Sequence, residues 1–213
     1  MKLQTSCLLL FPCVLLWTGL PAAGATAEPV RNDRVTVAED TLAPGEVRSL
    51  RGGLPAVVVY FDAGTVEVTP AGGSARSVKV AAGETAFEPP QARTVKNTGT
   101  SPLKLARVEF LGKGSAETWG AAGLSPHYKL LIENQYTRVY DIKIPAGTKE
   151  PQHTHRDRVV VCLNGAQLMH LMPDGRTEPS TLKTGEIAWR RGGTHIGQNL
   201  GKTDLWVIAI EPK

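Results

Sequence analysis

Gly147-Thr148-Lys149-Glu150-Pro151-Gln152-His153-Thr154-His155, and further on Gly185-Glu186-Ile187-Ala188-Trp189-Arg190-Arg191-Gly192-Gly193-Thr194-His195-Ile196-Gly197-Gln198-Asn199, are the stretches that decide how this chain folds. Glycines, one proline and polar residues flank three histidines in them. Residues two apart in a strand face the same side. His153 and His155 are therefore expected to send two imidazoles into one space, with His195 reaching it from a neighbouring strand. Convergent imidazoles are what a divalent transition metal needs.

The two stretches resemble the paired motifs of the cupin family, small β-barrels of the jelly-roll type. The family's first motif is a Gly, five residues, His-x-His, a Glu four or five residues on, and a later Gly. Gly147, His153, His155 and Gly165 match it, while Val159 and Val160 stand where the Glu belongs. The second motif is a Gly, five residues, Pro-x-Gly, a His and, after three more residues, an Asn. Gly185, Gly193, His195 and Asn199 match, with Arg191 in place of the Pro and His195 one residue early. The resemblance implies a barrel whose His153, His155 and His195 hold one divalent transition metal (Fe, Zn, Mn, Ni or Cu) and leave positions open for water and a small-molecule substrate. Thiol dioxygenases of this family use three histidines without the carboxylate, so an oxygenase-like enzyme is implied. A neutral ligand set leaves the ion more positive, which favours anionic substrates or an acidified water.

Asp157 shares the strand parity of the histidine pair and is the nearby carboxylate for a fourth ligand; a turn or a salt bridge with Arg156 or Arg158 is the competing role. Glu150, Gln152 and Tyr140 are candidates at the barrel mouth for supporting the ligands or acting as general base. His127 and His170 belong to neither motif and read as surface or packing residues. Trp189 and Trp206 fall in strand patterns and read as core. The alternative to a metal is a vestigial site whose imidazoles bond water in a polar cavity.

The second half of the chain repeats the first at a constant step of 102 residues. Gly45 pairs with Gly147, Gly83-Glu84-Thr85-Ala86-Phe87 with Gly185-Glu186-Ile187-Ala188-Trp189, and Asn97-Thr98-Gly99 with Asn199-Leu200-Gly201. A fixed offset over this length implies an internal duplication, hence two tandem barrels: residues 28–111, a Gly/Ala/Ser-rich linker at 112–126, and residues 127–213. At that offset Arg51, Gly53 and Arg93 stand opposite His153, His155 and His195, so the metal belongs to the second barrel alone. Arg51 and Arg93 are expected in the first cavity, where they would hold an anion such as a carboxylate, or at its mouth in solvent.

Expected strands are Arg34–Val37, Ala56–Phe61, Thr65–Thr69, Arg76–Val80, Leu103–Leu111, Tyr128–Ile132, Thr137–Ile144, Arg158–Leu163, Gln167–Met172, Glu178–Leu182, Ile187–Arg190 and Asp204–Ile210, with a hairpin at Asp174-Gly175. An all-β chain suits the 22 glycines and 15 prolines. Residues 1–27 read as a cleaved secretory signal: Lys2, an apolar run from Cys7 to Trp17, then small residues up to Ala27. A periplasmic or secreted protein with no membrane anchor left after cleavage is the expectation. Cleavage removes Cys7 and Cys13 and leaves Cys162 in an apolar run as a buried, inert thiol. The net charge of +4 is spread along the chain, which argues against nucleic acid. Three functions remain open: a metal-dependent enzyme, a binding protein for a small anion or sugar, and a structural protein that pairs as a homodimer.

Overall fold

The computed structural model describes residues 30–115 and 125–213; the expected signal and most of the expected linker lie outside the described residues. Short, Val-rich segments between turns form strands throughout, and no helix occurs among the described residues. The first half contains β1 (Val35–Leu42), β2 (Val47–Leu50), β3 (Ala56–Tyr60), β4 (Gly64–Pro70), β5 (Arg76–Val80), β6 (Thr85–Glu88), β7 (Arg93–Asn97) and β8 (Leu103–Phe110). The second contains β9 (Tyr128–Glu133), β10 (Thr137–Ile144), β11 (His153–His155), β12 (Arg158–Asn164), β13 (Ala166–Leu171), β14 (Thr177–Leu182), β15 (Ile187–Arg190), β16 (Gly193–Asn199) and β17 (Leu205–Pro212). β2, β6 and β7 were not among the expected strands: they are four or five residues long and at least half polar, so their hydrophobic pattern is faint.

Each half is a two-sheet antiparallel barrel. The sheets run β1-β8-β3-β6 and β2-β7-β4-β5 in the first, β9-β10-β17-β12-β15 and β11-β16-β13-β14 in the second. Leu42, Val58, Tyr60, Val66, Val95 and Leu105 fill the first interior. Tyr140, Ile142, Val160, Cys162, Leu168 and Val207 fill the second. A third core lies between the barrels: Val57, Val59 and Val108 of one pack with Val159, Val161, Ile208 and Ile210 of the other. This explains the unbroken runs Val57-Val58-Val59 and Val159-Val160-Val161. Alternate residues of one strand serve the barrel interior and the seam, so both faces must be apolar. Phe87 stacks on Tyr136 across the seam at 5.9 Å, and the Arg34 guanidinium donates to the Pro212 carbonyl. Trp189 packs on the seam core, whereas Trp206 is half-buried, donates to Asp141 and closes over Gly83.

The repeat extends to strand register. Val35 pairs with Phe110, and Thr137 with Pro212; Ala56 pairs with Glu88, and Arg158 with Arg190; Val66 pairs with Asn97, and Leu168 with Asn199. The repeated glycines turn the chain at positive φ, 78° at Gly45 against 75° at Gly147 and 77° at Gly83 against 85° at Gly185. The repeated asparagines lock the same corner in each barrel. Asn97 donates to the Leu42 and Ser101 carbonyls and accepts from the Gly99 amide; Asn199 does so with Ile144, Thr203 and Gly201.

One ladder breaks the correspondence. In the first barrel Leu50 lies opposite Arg93; at the 102-residue step Gln152 would lie opposite His195. Instead His153 does. Lys149 still bridges Gln198 in the register of Val47 with Lys96, so the extra residue is taken up within Glu150-Pro151-Gln152. This is a bulge, placed where Pro151 has no amide to offer a ladder. A one-residue slip exchanges the faces of a strand, and here it gives His153, rather than Gln152, the inward place of Leu50. The structural partner of His153 is therefore Leu50, not the Arg51 that ungapped counting gives.

Candidate metal centre

β11 carries His153 and His155 two residues apart, both almost fully buried, and β16 sets His195 directly opposite His153. One nitrogen from each of the three lies within 4.8 Å of the others. Among the described His, Cys, Asp and Glu, no other group of three or more gathers in this way. The Nε2 atoms of His153 and His155 are 3.0 Å apart. Nitrogens sharing one ion at about 2.1 Å stand about 3.0 to 3.4 Å apart, for right-angled to tetrahedral arrangements.

The protonation of His153 is fixed by its other nitrogen. Nδ1 is 2.8 Å from the Pro151 carbonyl, which can only accept, so Nδ1 carries the hydrogen and Nε2 presents a lone pair to the centre. The bulge thus supplies the tautomer. Burial, with Arg158 and the other imidazoles nearby, holds His155 far below the usual histidine range; burial and the neighbouring His170 bring His195 down to about 3. Neutral imidazoles are the metal-binding form. The donor set fits a borderline transition metal rather than calcium or magnesium, which take oxygen ligands.

His155 and His195 open onto a cavity of about 80 Å3 lined also by Tyr128, Glu150, Arg158, His170 and Arg190. The Tyr128 hydroxyl is 3.3 Å from His153 Nε2 and 3.1 Å from His155 Nε2. His170, expected at the surface or in packing, stacks on His195 with ring centroids 4.3 Å apart and belongs to the site. It lies opposite Gly197 on β13, in line with inward-facing Leu168; that strand parity was readable, but no motif drew attention to it.

Glu150 is buried, and its Oε1 has no hydrogen-bond partner. Burial raises its carboxyl above the usual range against the opposing Ser125 hydrogen bond and the charges of His153 and His127. A Cβ at residue 197 would meet its Oε2 at 2.7 Å, so glycine there makes the room. Arg158 and Arg190 face each other across β12 and β15. Arg190 donates to Glu186, whereas Arg158 reaches the Arg156 and Arg191 carbonyls at 3.2 and 3.4 Å and no carboxylate lies within salt-bridge range among the described residues.

The other candidates lie elsewhere. The Asp157 carboxylate accepts from the Gly192 amide at 2.6 Å and faces Arg34 at 3.8 Å, which is a turn and salt-bridge role with a different partner from those expected. Gln152 is exposed in the bulge. Tyr140 is buried within the barrel, edge-on to Tyr128, not at its mouth. Asn199 is a corner residue held alike in both barrels, so it carries no message about metal. Arg51 and Arg93 do not line the first barrel's cavity. Arg51 is exposed, and Arg93 is engaged by Glu88 and the Pro89 and Gln91 carbonyls. That cavity, about 230 Å3, is lined instead by Arg48 and Arg107, neutralised by Asp40 and by Glu88 and Glu109. Cys162 is buried and free, its thiol pushed up to about 11 by burial.

No protein-family model matches the chain, and no curated protein matches its sequence. Solved structures do match its fold. AerE from Microcystis aeruginosa is similar over 85% of this chain and 88% of its own, with 14% identity and a TM-score of 0.61. A cupin 2 conserved barrel domain protein from Leptotrichia buccalis matches over 86% of each chain, at 14% identity and a TM-score of 0.58. The formate complex of Lactobacillus farciminis oxalate decarboxylase matches over 85% of this chain and 78% of its own, at 11% identity and a TM-score of 0.62.

Proposed function

Starting from a chain with the cupin fold, folded twice over, we propose that its second barrel is the centre of an exported, metal-dependent enzyme acting on a small anionic molecule. The observation that carries the reading is the convergence of three imidazole nitrogens beside a cavity that presents His155, His195, Arg158, Arg190 and a partnerless Glu150 oxygen. His153, His155 and His195 hold the ion, one of Fe, Zn, Mn, Ni or Cu. When bound it supplies Lewis acidity, and with a redox-active metal a route to oxygenase-like chemistry.

The chain's own residues do the rest. Arg158, with no carboxylate in salt-bridge contact among the described residues, pairs with the anionic end of the substrate, and Arg190 faces the same space. Glu150 moves a proton: it is buried and lines the cavity, and burial raises its carboxyl above the ordinary carboxylate range. The small cavity limits the substrate to a few non-hydrogen atoms. Formate in a similarly folded structure is in keeping with this size and charge, and it is a property of that protein.

Elemental analysis of purified wild type against His153→Ala tests the reading. About one metal per chain is expected in the first and none in the second; none in either removes its basis. Intact mass after expression in a bacterial host tests export, with a mature chain beginning near residue 28 expected. A second reading, capture of a small ligand without chemistry, is favoured by the larger, largely apolar cavity of the first barrel. Ligand-induced thermal shifts that persist in His153→Ala would support it. Homodimer assembly is read directly by light scattering.

A further inference from the structure

The position of the missing cupin carboxylate holds Val159 and Val160. Val159 faces the seam between the barrels and Val160 the apolar interior, so neither can be a donor. Glu150 and Asp157 do not join the cluster of ligand atoms either. Yet one further oxygen does reach it. Tyr128 begins β9, the edge strand of the second barrel's five-stranded sheet. Its backbone is fixed by pairing with Ile142 and by the Ser125 carbonyl. The ring sits between the two β11 imidazoles, with centroids 5.4 and 5.5 Å from theirs.

On the reading that the three histidines hold a metal, we propose that the Tyr128 phenol oxygen is the fourth protein donor to it. Three separations carry the inference: Nε2 to Nε2 at 3.0 Å, and the phenol oxygen to each Nε2 at 3.1 and 3.3 Å. All fall in the range of about 3.0 to 3.4 Å for atoms sharing one ion at about 2.1 Å. A residue that only supported a ligand would bond the far nitrogen of its ring, as the Pro151 carbonyl does with Nδ1 of His153. Tyr128 instead approaches the near nitrogens of two rings at once, where the ion belongs. Coordination releases the phenolic proton to solvent and supplies one negative charge that the three imidazoles lack. The site is then a three-nitrogen, one-oxygen set like that of carboxylate-bearing cupins, with the oxygen brought from the opposite sheet.

The purified full-length chain, loaded anaerobically with one equivalent of Fe(II) and oxidised to Fe(III) with ferricyanide, reads this directly. The wild type is expected to show a visible phenolate-to-iron charge-transfer band, with tyrosine ring modes enhanced in resonance Raman. Tyr140→Phe, which alters the next tyrosine of the barrel, keeps the band. Tyr128→Phe still binds iron, more weakly by on the order of 10-fold to 100-fold, and loses the band. Bound iron with no such band in the wild type, or a band that survives Tyr128→Phe, overturns the proposal. Wild type that takes up no iron overturns the three-histidine reading itself and Tyr128 with it; elemental analysis tells that failure from the first.

Discussion

The two barrels share turns, corners and nearly every register, and differ in what lines their interiors. Where the second has His153 and His170, the first has Leu50 and Val68; where the second sets Arg158 against Arg190, the first has Ala56 against Glu88. Glu88 is in turn paired with Arg107. The first interior is electrically closed, its charges matched within the wall. The second leaves lone pairs, a guanidinium and a carboxylate oxygen facing open space. A barrel that serves only as a structural partner can satisfy all its polar groups; one that binds something must leave some for the ligand. The added bulge appears on the unsatisfied side.

The largest effect is expected at the seam, which belongs to both barrels. Ile208→Asp buries an unpaired charge among Val57, Val59 and Val161, at a cost of about 4 to 5 kcal/mol or more. That is a large part of an ordinary domain's stability, so the soluble yield collapses and both halves unfold together. A variant that keeps the first barrel folded would show the barrels to be independent.

Removing Gln152 should give β11 the uninterrupted ladder of the first barrel, with His153 in the place of Leu50 and still opposite His195. The histidines then keep their facing but the Pro151 carbonyl is drawn away from His153 Nδ1, and metal affinity drops by about 10-fold to 100-fold while the strand signature in circular dichroism persists. Metal affinity lost altogether would mean that the bulge itself sets the facing. Asn97→Ala and Asn199→Ala should cost about the same, roughly 2 kcal/mol each, by leaving buried carbonyls unpaired. Denaturant melts measure both, and metal stoichiometry should be unchanged in each. A loss of metal confined to Asn199→Ala would give that residue a role in the site.

A further effect is acid sensitivity of the metal-free protein. The folded pKa values of His155 and His195 lie below those of the unfolded chain, so protons bind the unfolded state first. Their contribution to stability is intact above about pH 6.5 and declines as the pH falls toward 3, the value for His195. Replacing His195 by a residue that does not titrate should flatten the thermal midpoint over that window.

The duplication and the all-β architecture were legible because the repeated turn glycines and the double-sided valine runs are local, strong signals. The convergence of the histidines followed from strand parity and two motifs. What sequence missed had non-local causes. An ungapped offset cannot show a bulge, so Arg51 was matched with His153, with the first cavity and its solvent-exposed mouth both open as its place. Asn199 matched the second motif, but its twin Asn97 makes the same three bonds, so the match reports the corner and not the metal. Tyr128, His170, Arg158 and Arg190 come together only through pairings of strands distant in sequence.

The central claim is that a single ion belongs to the second barrel. Anomalous diffraction at the metal's absorption edge, from crystals grown without chelator, tests it most directly. One peak per chain is expected, between the side chains of His153, His155 and His195, with none in the first barrel. No peak at that point in protein that elemental analysis shows to contain metal, or a peak in the first barrel instead, would contradict the account.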